Sequence, residues 1–265
     1  MNPTAAISRP GIPTPWRSQS QRSRLPLGVL LVPSTAAWVI MIRWVGSMGN
    51  GVGPMGLELW EFVGVWVVMM TAMMLPSLTV TKCANGTALA RGKATAFFAL
   101  GYLVVWAAIG FMCYPASEAF AALVEHHSSA AVAVSVALFT ACGVYQASDL
   151  KWRFLERCRS CAIPLTPMTT PYLEGVRCGA SCLGASALAM SLLFALGFMQ
   201  LEGMAVIGAA LLVERHINRR SVCVLFGLVA LAYGIAVALH PNLAPALLAD
   251  HMGQMKMTGP MKMMK

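Results

Sequence analysis

Charge is what this sequence has least of. Charged side chains are 11% of the 265 residues, against about 25% in soluble domains, while 58% are hydrophobic. Too few polar groups are present to cover a water-facing surface, so a soluble globular domain is excluded and lipid is the solvent that suits the chain. The apolar runs also lack strict alternation, which disfavours a transmembrane barrel and leaves an all-α, polytopic transmembrane helix bundle. No nucleophile with its base, phosphate-cradling loop or dinucleotide fingerprint is present, so no enzyme is expected. No repeat of fixed period is seen. The net charge of +9 sits in short basic clusters without an interleaved aromatic patch, so nucleic acid is not an expected partner.

What is present is a series of apolar runs. Seven of them predict helices near 26–46, 57–80, 94–115, 129–149, 180–200, 203–214 and 221–240. A spanning helix needs about 20 residues, and the sixth run is short enough to be either a tilted span or a re-entrant arm. The run Leu25–Val45 follows Arg17, Arg22 and Arg24 as a signal peptide would. It is longer than a signal h-region and has no small-residue cleavage site, so it reads as a retained helix. Three parts are expected: a flexible basic arm (1–25), the helix bundle (26–240) and a Met-rich external tail (241–265).

Orientation follows from the basic residues. With the N-terminus inside, alternate segments hold Arg9, Arg17, Arg22 and Arg24; then Lys82, Arg91 and Lys93; then Lys151, Arg153, Arg157, Arg159 and Arg177; then Arg215, Arg219 and Arg220. Only Arg43, Lys256, Lys262 and Lys265 fall outside. This positive-inside asymmetry predicts the N-terminus inside and the C-terminus outside, with an odd number of spans. Glu58, Glu61, Glu118, Glu125, Glu202, Asp250, His126, His127, His240 and His251 are then expected on the outer side, with His216 inward.

Methionine is abundant, with 19 residues. His251, Met252, Met255, Met257, Met261, Met263 and Met264 crowd the C-terminal tail. A thioether is soft, neutral and needs no deprotonation, so it selects Cu(I) over hard cations; a lipid-touching or partner-binding tail, or a tail with no role, are the other readings. Met69, Met70, Met73 and Met74 fall at i, i+3 and i+4 in the second run, which stacks them on one helix stripe. They suit either a Cu(I) path or irregular helix packing. Pro76 should kink or end that helix.

The chain has eight cysteines. Cys158 and Cys161 form a CxxC, and Cys178 and Cys182 a CxxxC, all expected at the cytoplasmic face where thiols stay reduced. Together they suit a tetrahedral zinc site, a low-coordinate Cu(I) site or free thiols. Cys113, Cys142 and Cys223 sit in apolar runs as packing residues. Glu58 and Glu61, one turn apart, either complement a helix dipole or join His126 and His127 in an outer site. Asp149, Lys151 and Glu214 lie at inner helix ends and read as interfacial anchors.

These residues carry a resemblance. Trp66–Ser77 (WVVMMTAMMLPS), Gly101–Trp106, Gly143–Lys151 (GVYQASDLK), Cys158–Arg159 before Pro164, Gly175–Met204 and Glu214 before a basic residue make the chain similar to an uncharacterised bacterial family. That family is described as predicted metal-binding integral membrane proteins, copper-chaperone-like in name. The pattern departs at Ser181–Leu183, where the family has paired cysteines followed by Trp, and at Gly203, where it has Trp. The resemblance implies a multi-pass protein of the bacterial inner membrane that handles a metal. The residues and the resemblance together point to a Cu(I) binding or delivery protein. The rival reading is a non-catalytic accessory or assembly subunit of a membrane copper enzyme, with that enzyme's subunits as partners beside the lipid bilayer. A transporter is weakened by the scarcity of charge within the spans and by the lack of an inverted repeat.

Overall fold

Pro76 decides how the second helix ends. It has no N–H to give the carbonyl four residues earlier, at Ala72. In lipid or in a packed interior such a carbonyl must find another donor. In the computed structural model, which describes residues 27–48, 56–165, 169–197 and 200–240, two donors on the first helix supply it. Ser34 Oγ and Trp38 Nε1 donate to the Ala72 oxygen at 3.0 and 3.1 Å. The break in α2 (Leu59–Met74) thus docks α1 (Leu27–Met48) against it, and the chain continues as a 3-10 turn, Pro76–Val80.

The remaining helices are α3 (Ala88–His126), α4 (Ser128–Ala147), α5 (Asp149–Arg159), α6 (Thr169–Leu196), α7 (Leu201–His216) and α8 (Arg220–Leu239). The expected all-α bundle forms. Each apolar run is a helix, but α3 runs on through Glu118 to His126, and α6 begins well before its apolar stretch. The helix α5 lies outside the expected runs. Ser148 starts it by accepting from Lys151 N at 3.1 Å, Asp149 sits in its first turn, and Arg157 and Arg159 in its last, as the helix dipole favours. Among the described residues six helical segments are long and apolar enough to cross a membrane, α2 counting with its 3-10 turn as Leu59–Val80. The helix α7 stands alone at 16 residues, about 24 Å at 1.5 Å per residue. Large apolar side chains stay exposed on outward faces, such as Val32 and Ile40 on α1 and Leu225, Leu228 and Ile235 on α8. The residues 1–26 and 241–265, and so the expected arm and tail, lie outside the described residues.

Glycine sets the closest contact. A Cβ on Gly101 of α3 would collide with the Tyr172 carbonyl of α6, and one on Gly175 of α6 with the Phe98 carbonyl of α3. The two backbones therefore touch, which small residues permit in helix pairs. This brings Tyr102 of α3 against the cysteine-bearing part of α6.

One end of the bundle gathers basic residues. Two short parallel strands, β1 (Lys82–Cys83) and β2 (Ala162–Ile163), pair there and tie the segment after α2 to the segment after α5. At this end Arg220 donates to the Ala147 carbonyl at 2.7 Å and pairs with Asp149. At the other end Tyr114 Oη donates to the Leu57 carbonyl at 3.3 Å, and Phe120 meets Phe194.

Replacing Ser34 by Ala or Trp38 by Phe should each cost little, since the other donor still serves Ala72. The double substitution should lower stability by about 1–3 kcal/mol, the cost of a buried orphan carbonyl. Thermal unfolding of the purified protein checks this, and additive single effects would refute the shared-acceptor account.

Candidate metal centre

Four elements meet at the basic end: the turn after α2, the end of α5 with the residues just after it, the first half of α6 and the last turn of α7. Each supplies chemistry. Consecutive helical residues point about 100° apart, so Glu214 and Arg215 at the end of α7 enter the interior in different directions. Glu214 meets Lys151 of α5 at 2.7 Å, with both side chains 1% exposed. Arg215 is 3% exposed and, among the described residues, pairs with no carboxylate. Arg159 donates to the carbonyls of Glu214, Arg215 and Ile217 and to Asn218 Oδ1. It thereby caps α7 at the orphan carbonyls of its last turn and fixes where Glu214 and Arg215 point.

The Arg215 guanidinium is surrounded by sulfur and oxygen. It donates to the Cys158 carbonyl at 3.0 Å and to Ser77 Oγ at 3.3 Å. It also reaches Cys178 Sγ at 3.6 Å and Cys182 Sγ at 3.8 Å. Tyr102 Oη donates to Cys182 Sγ at 3.0 Å. The Cys158 thiol is held well above the usual thiol range, because its hydrogen bond with Cys182 keeps the proton on it and burial adds to that. Cys158 and Cys182 are thus neighbouring, buried, free thiols.

The four cysteines lie at the same end of the bundle, but not as four reduced thiols. Cys161 and Cys178 are joined in a disulfide, Cα–Cα 5.9 Å, so the four are not all free thiols. On α6 Cys178 and Cys182 share a face four residues apart, while Cys158 lies near the end of α5 and Cys161 follows it. Spacing alone does not tell which sulfurs bond.

A small cavity of about 20 Å³ lies at this junction, lined among others by Met74, Ser77, Cys158, Cys182, Glu214 and Arg215. That is room for about one water-sized guest. Glu214 Oε1 and Arg215 Nε are buried there without a hydrogen-bond partner among the described residues. One of these atoms is an acceptor and the other a donor, a pair that a single water molecule can satisfy. Two thiols and a thioether around a one-atom space make a soft donor set that fits Cu(I). Two thiolates and one Cu(I) carry a net single negative charge, which the guanidinium can balance. At about 4 Å and an effective dielectric near 20 that attraction is roughly 4 kcal/mol.

Met69, Met70, Met73 and Met74 are all buried, in one cluster with Met41 of α1, Met190 of α6 and Met204 of α7. The stripe ends at Met74, on the thiol cavity. Glu58 and Glu61 instead serve the start of α2, where the Glu61 carboxylate accepts from Glu58 N–H at 3.1 Å. Among the described residues no group of three or more His, Cys, Asp and Glu could hold a metal. His251 and the six tail methionines lie outside the described residues.

Arg215 and Tyr102 carry no local signal along the chain. Arg215 was one more charge in the positive-inside pattern, and its partners come from residues 33 to 138 positions away. Lys151 and Glu214 are buried partners rather than interfacial anchors, while Asp149 keeps an exposed position.

Residues 63–237 match the family described as PpoB2, copper chaperone. No curated protein and no solved structure matches the chain.

Breaking the buried ion pair gives a sharp test of this end. Lys151→Met alone should destabilise by about 3–5 kcal/mol, because it strands the Glu214 carboxylate. Adding Glu214→Leu should recover much of that loss. Unfolding curves for the single and double variants decide it, and a double variant no better than the single one would refute the pairing.

Proposed function

This chain belongs to the PpoB2 copper chaperone family, and from that premise we propose that it binds and hands on Cu(I) within a membrane, without catalysis. The observation that carries the reading is the Cys158/Cys182 thiol pair with Met74, packed around an atom-sized cavity beside the buried Arg215. Soft donors fit Cu(I), the cavity admits one ion, and a buried cation offsets the negative charge of a copper dithiolate. Positive-inside asymmetry supports an orientation with the basic end, and so the thiol pair, toward the cytoplasm of the bacterial inner membrane.

The methionines fit the same reading in two roles. Those of the tail, from Met252 to Met264 with His251, are suited to capture Cu(I) outside, where thioethers work in an oxidising medium. Those of α2 would carry it inward as a stripe of neutral donors ending at Met74. Chaperone function also requires a recipient, and a membrane metalloenzyme subunit remains the partner this reading calls for.

Replacing Cys158 and Cys182 together by Ser should weaken Cu(I) binding by at least about 100-fold. Competition against a Cu(I)-specific chelator measures it, and unchanged binding in the double variant would remove the thiol pair as the site.

The raised pKa of Cys158 fixes the sign of a pH effect. Copper must displace a proton that this thiol keeps to higher pH than usual. Affinity should therefore rise with pH, approaching about tenfold per unit for one displaced proton. Arg215 and Arg159 oppose the raised pKa through their charge, while Cys182 supports it. A flat profile between pH 6 and about 9 would exclude Cys158 as a protonated ligand.

A chain ending at Ala249 should bind fewer copper ions yet keep the thiolate-to-copper absorption of the buried pair. Equal stoichiometry in the intact and shortened proteins would rule out capture by the tail.

A further inference from the structure

Beside the free thiol pair lies an oxidised one, and a single guanidinium touches both. Arg215 reaches Cys178 Sγ of the disulfide and Cys182 Sγ of the thiol pair. The Cys178 sulfur also faces the Cys158 carbonyl, at 3.9 Å. On α6 Cys178 and Cys182 stand one helical turn apart, and Cys161 lies just past the end of α5, three residues after Cys158, so the Cys161–Cys178 bridge adjoins the same sulfur cluster. Cys158, Cys178 and Cys182 are buried. Cys161 is the partly exposed member.

We infer that the Cys161–Cys178 disulfide is a redox gate on the copper site: its reduction adds two thiols beside Cys158 and Cys182 and raises the sulfur donors available to Cu(I) from two thiols to as many as four. The inference rests on the copper reading of the preceding subsection. A dithiol reductant attacks the accessible Cys161 sulfur, and the S–S bond breaks with Cys178 as the leaving group. The donor's second thiol then resolves the mixed disulfide. Each protein sulfur takes one electron and one proton, and the donor closes its own disulfide, so atoms and electrons balance. The geometry suits this order. Exchange needs an exposed sulfur to attack and a leaving sulfur whose developing negative charge is stabilised. Cys161 meets the first need and Cys178, facing Arg215, the second.

The same arrangement gives the gate a direction. Oxidised, the cluster holds copper by the Cys158/Cys182 pair and Met74. Reduced, it offers further anionic sulfurs and binds more tightly. A disulfide facing a reducing compartment is characteristically transient or regulatory rather than structural, which fits the cytoplasmic placement proposed for this end.

The test uses the full chain in lipid nanodiscs. One sample is treated with oxidised glutathione, and another is reduced with a phosphine that is then removed without air. Differential alkylation with mass spectrometry records which cysteines are bridged. Cu(I) alone is the probe. Its affinity is read by competition with bathocuproine disulfonate, and its sulfur count by copper X-ray absorption. Reduction should raise affinity at least about tenfold and add at least one sulfur, and reoxidation should reverse both. The Cys161→Ser/Cys178→Ser variant should bind Cu(I) alike under both treatments. Equal affinity and sulfur count in the two forms of the unaltered protein would overturn the gate, as would finding Cys161 and Cys178 free after oxidised glutathione. The Cys158→Ser/Cys182→Ser variant separates the two ideas. Loss of copper there, with no redox effect in the unaltered chain, sinks the gate alone, whereas full binding there sinks the copper site and the gate with it.

Discussion

The buried guanidinium of Arg215 is the constraint around which the basic end is arranged. A charge taken out of water is costly unless it is met by hydrogen bonds and countercharge. Arg215 finds acceptors on three different elements: Ser77 after α2, the Cys158 carbonyl on α5, and the sulfurs of Cys178 and Cys182 on α6. Satisfying one side chain therefore fixes how the turn, two helices and α7 meet. The 3-10 turn that presents Ser77 exists because Pro76 ends α2, and the approach of Tyr102 exists because Gly101 and Gly175 let α3 and α6 touch.

The two cations buried here are handled differently, and the contrast is informative. Lys151 has Glu214 at 2.7 Å and is neutralised within the chain. Arg215 is met by sulfur and oxygen acceptors instead, with Nε unpaired at a cavity. A lysine–glutamate pair is complete as it stands. A guanidinium among thiols is complete only when sulfur carries negative charge, which is the condition under which sulfur binds a soft metal. Under the proposed copper reading, the charge balance of the site and its metal chemistry are one requirement.

The fold was legible wherever a local pattern carried it. Each apolar run became a helix, Pro76 ended α2, and the i, i+3, i+4 methionines turned inward. The spacing of Cys158, Cys161, Cys178 and Cys182 marked them as a set, but left open whether they bind metal, stay free or bond to one another. What escaped was tertiary. α5 is polar and reads as loop, because its partners on α6 and α7 are not visible along the chain. The extensions of α3 and α6 carry charged residues, which apolar runs leave out. Arg215, like Lys151 and Glu214, sits at the end of an apolar run, where a charge reads as topology. Only the meeting of helices shows that these side chains face inward, and the choice of Cys161–Cys178 as the bonded pair needs the same three-dimensional information.

Charge balance also separates a place where copper can rest from a place it can only pass. Met69, Met70 and Met73 are neutral donors inside an apolar bundle, so Cu(I) held by them alone would remain a cation in a medium of low dielectric. Such a state is high in free energy, as any unpaired charge there must be. At Met74 the surroundings change, because the same ion meets two thiols that can each give up a proton and a guanidinium that balances the resulting anion. Sulfur is common to both stretches, but only the second lets the copper, its ligands and the nearest cation sum to zero. On the proposed copper reading, the junction of α2, α5, α6 and α7 is therefore the place that suits a resting ion, and the methionine stripe suits passage to it.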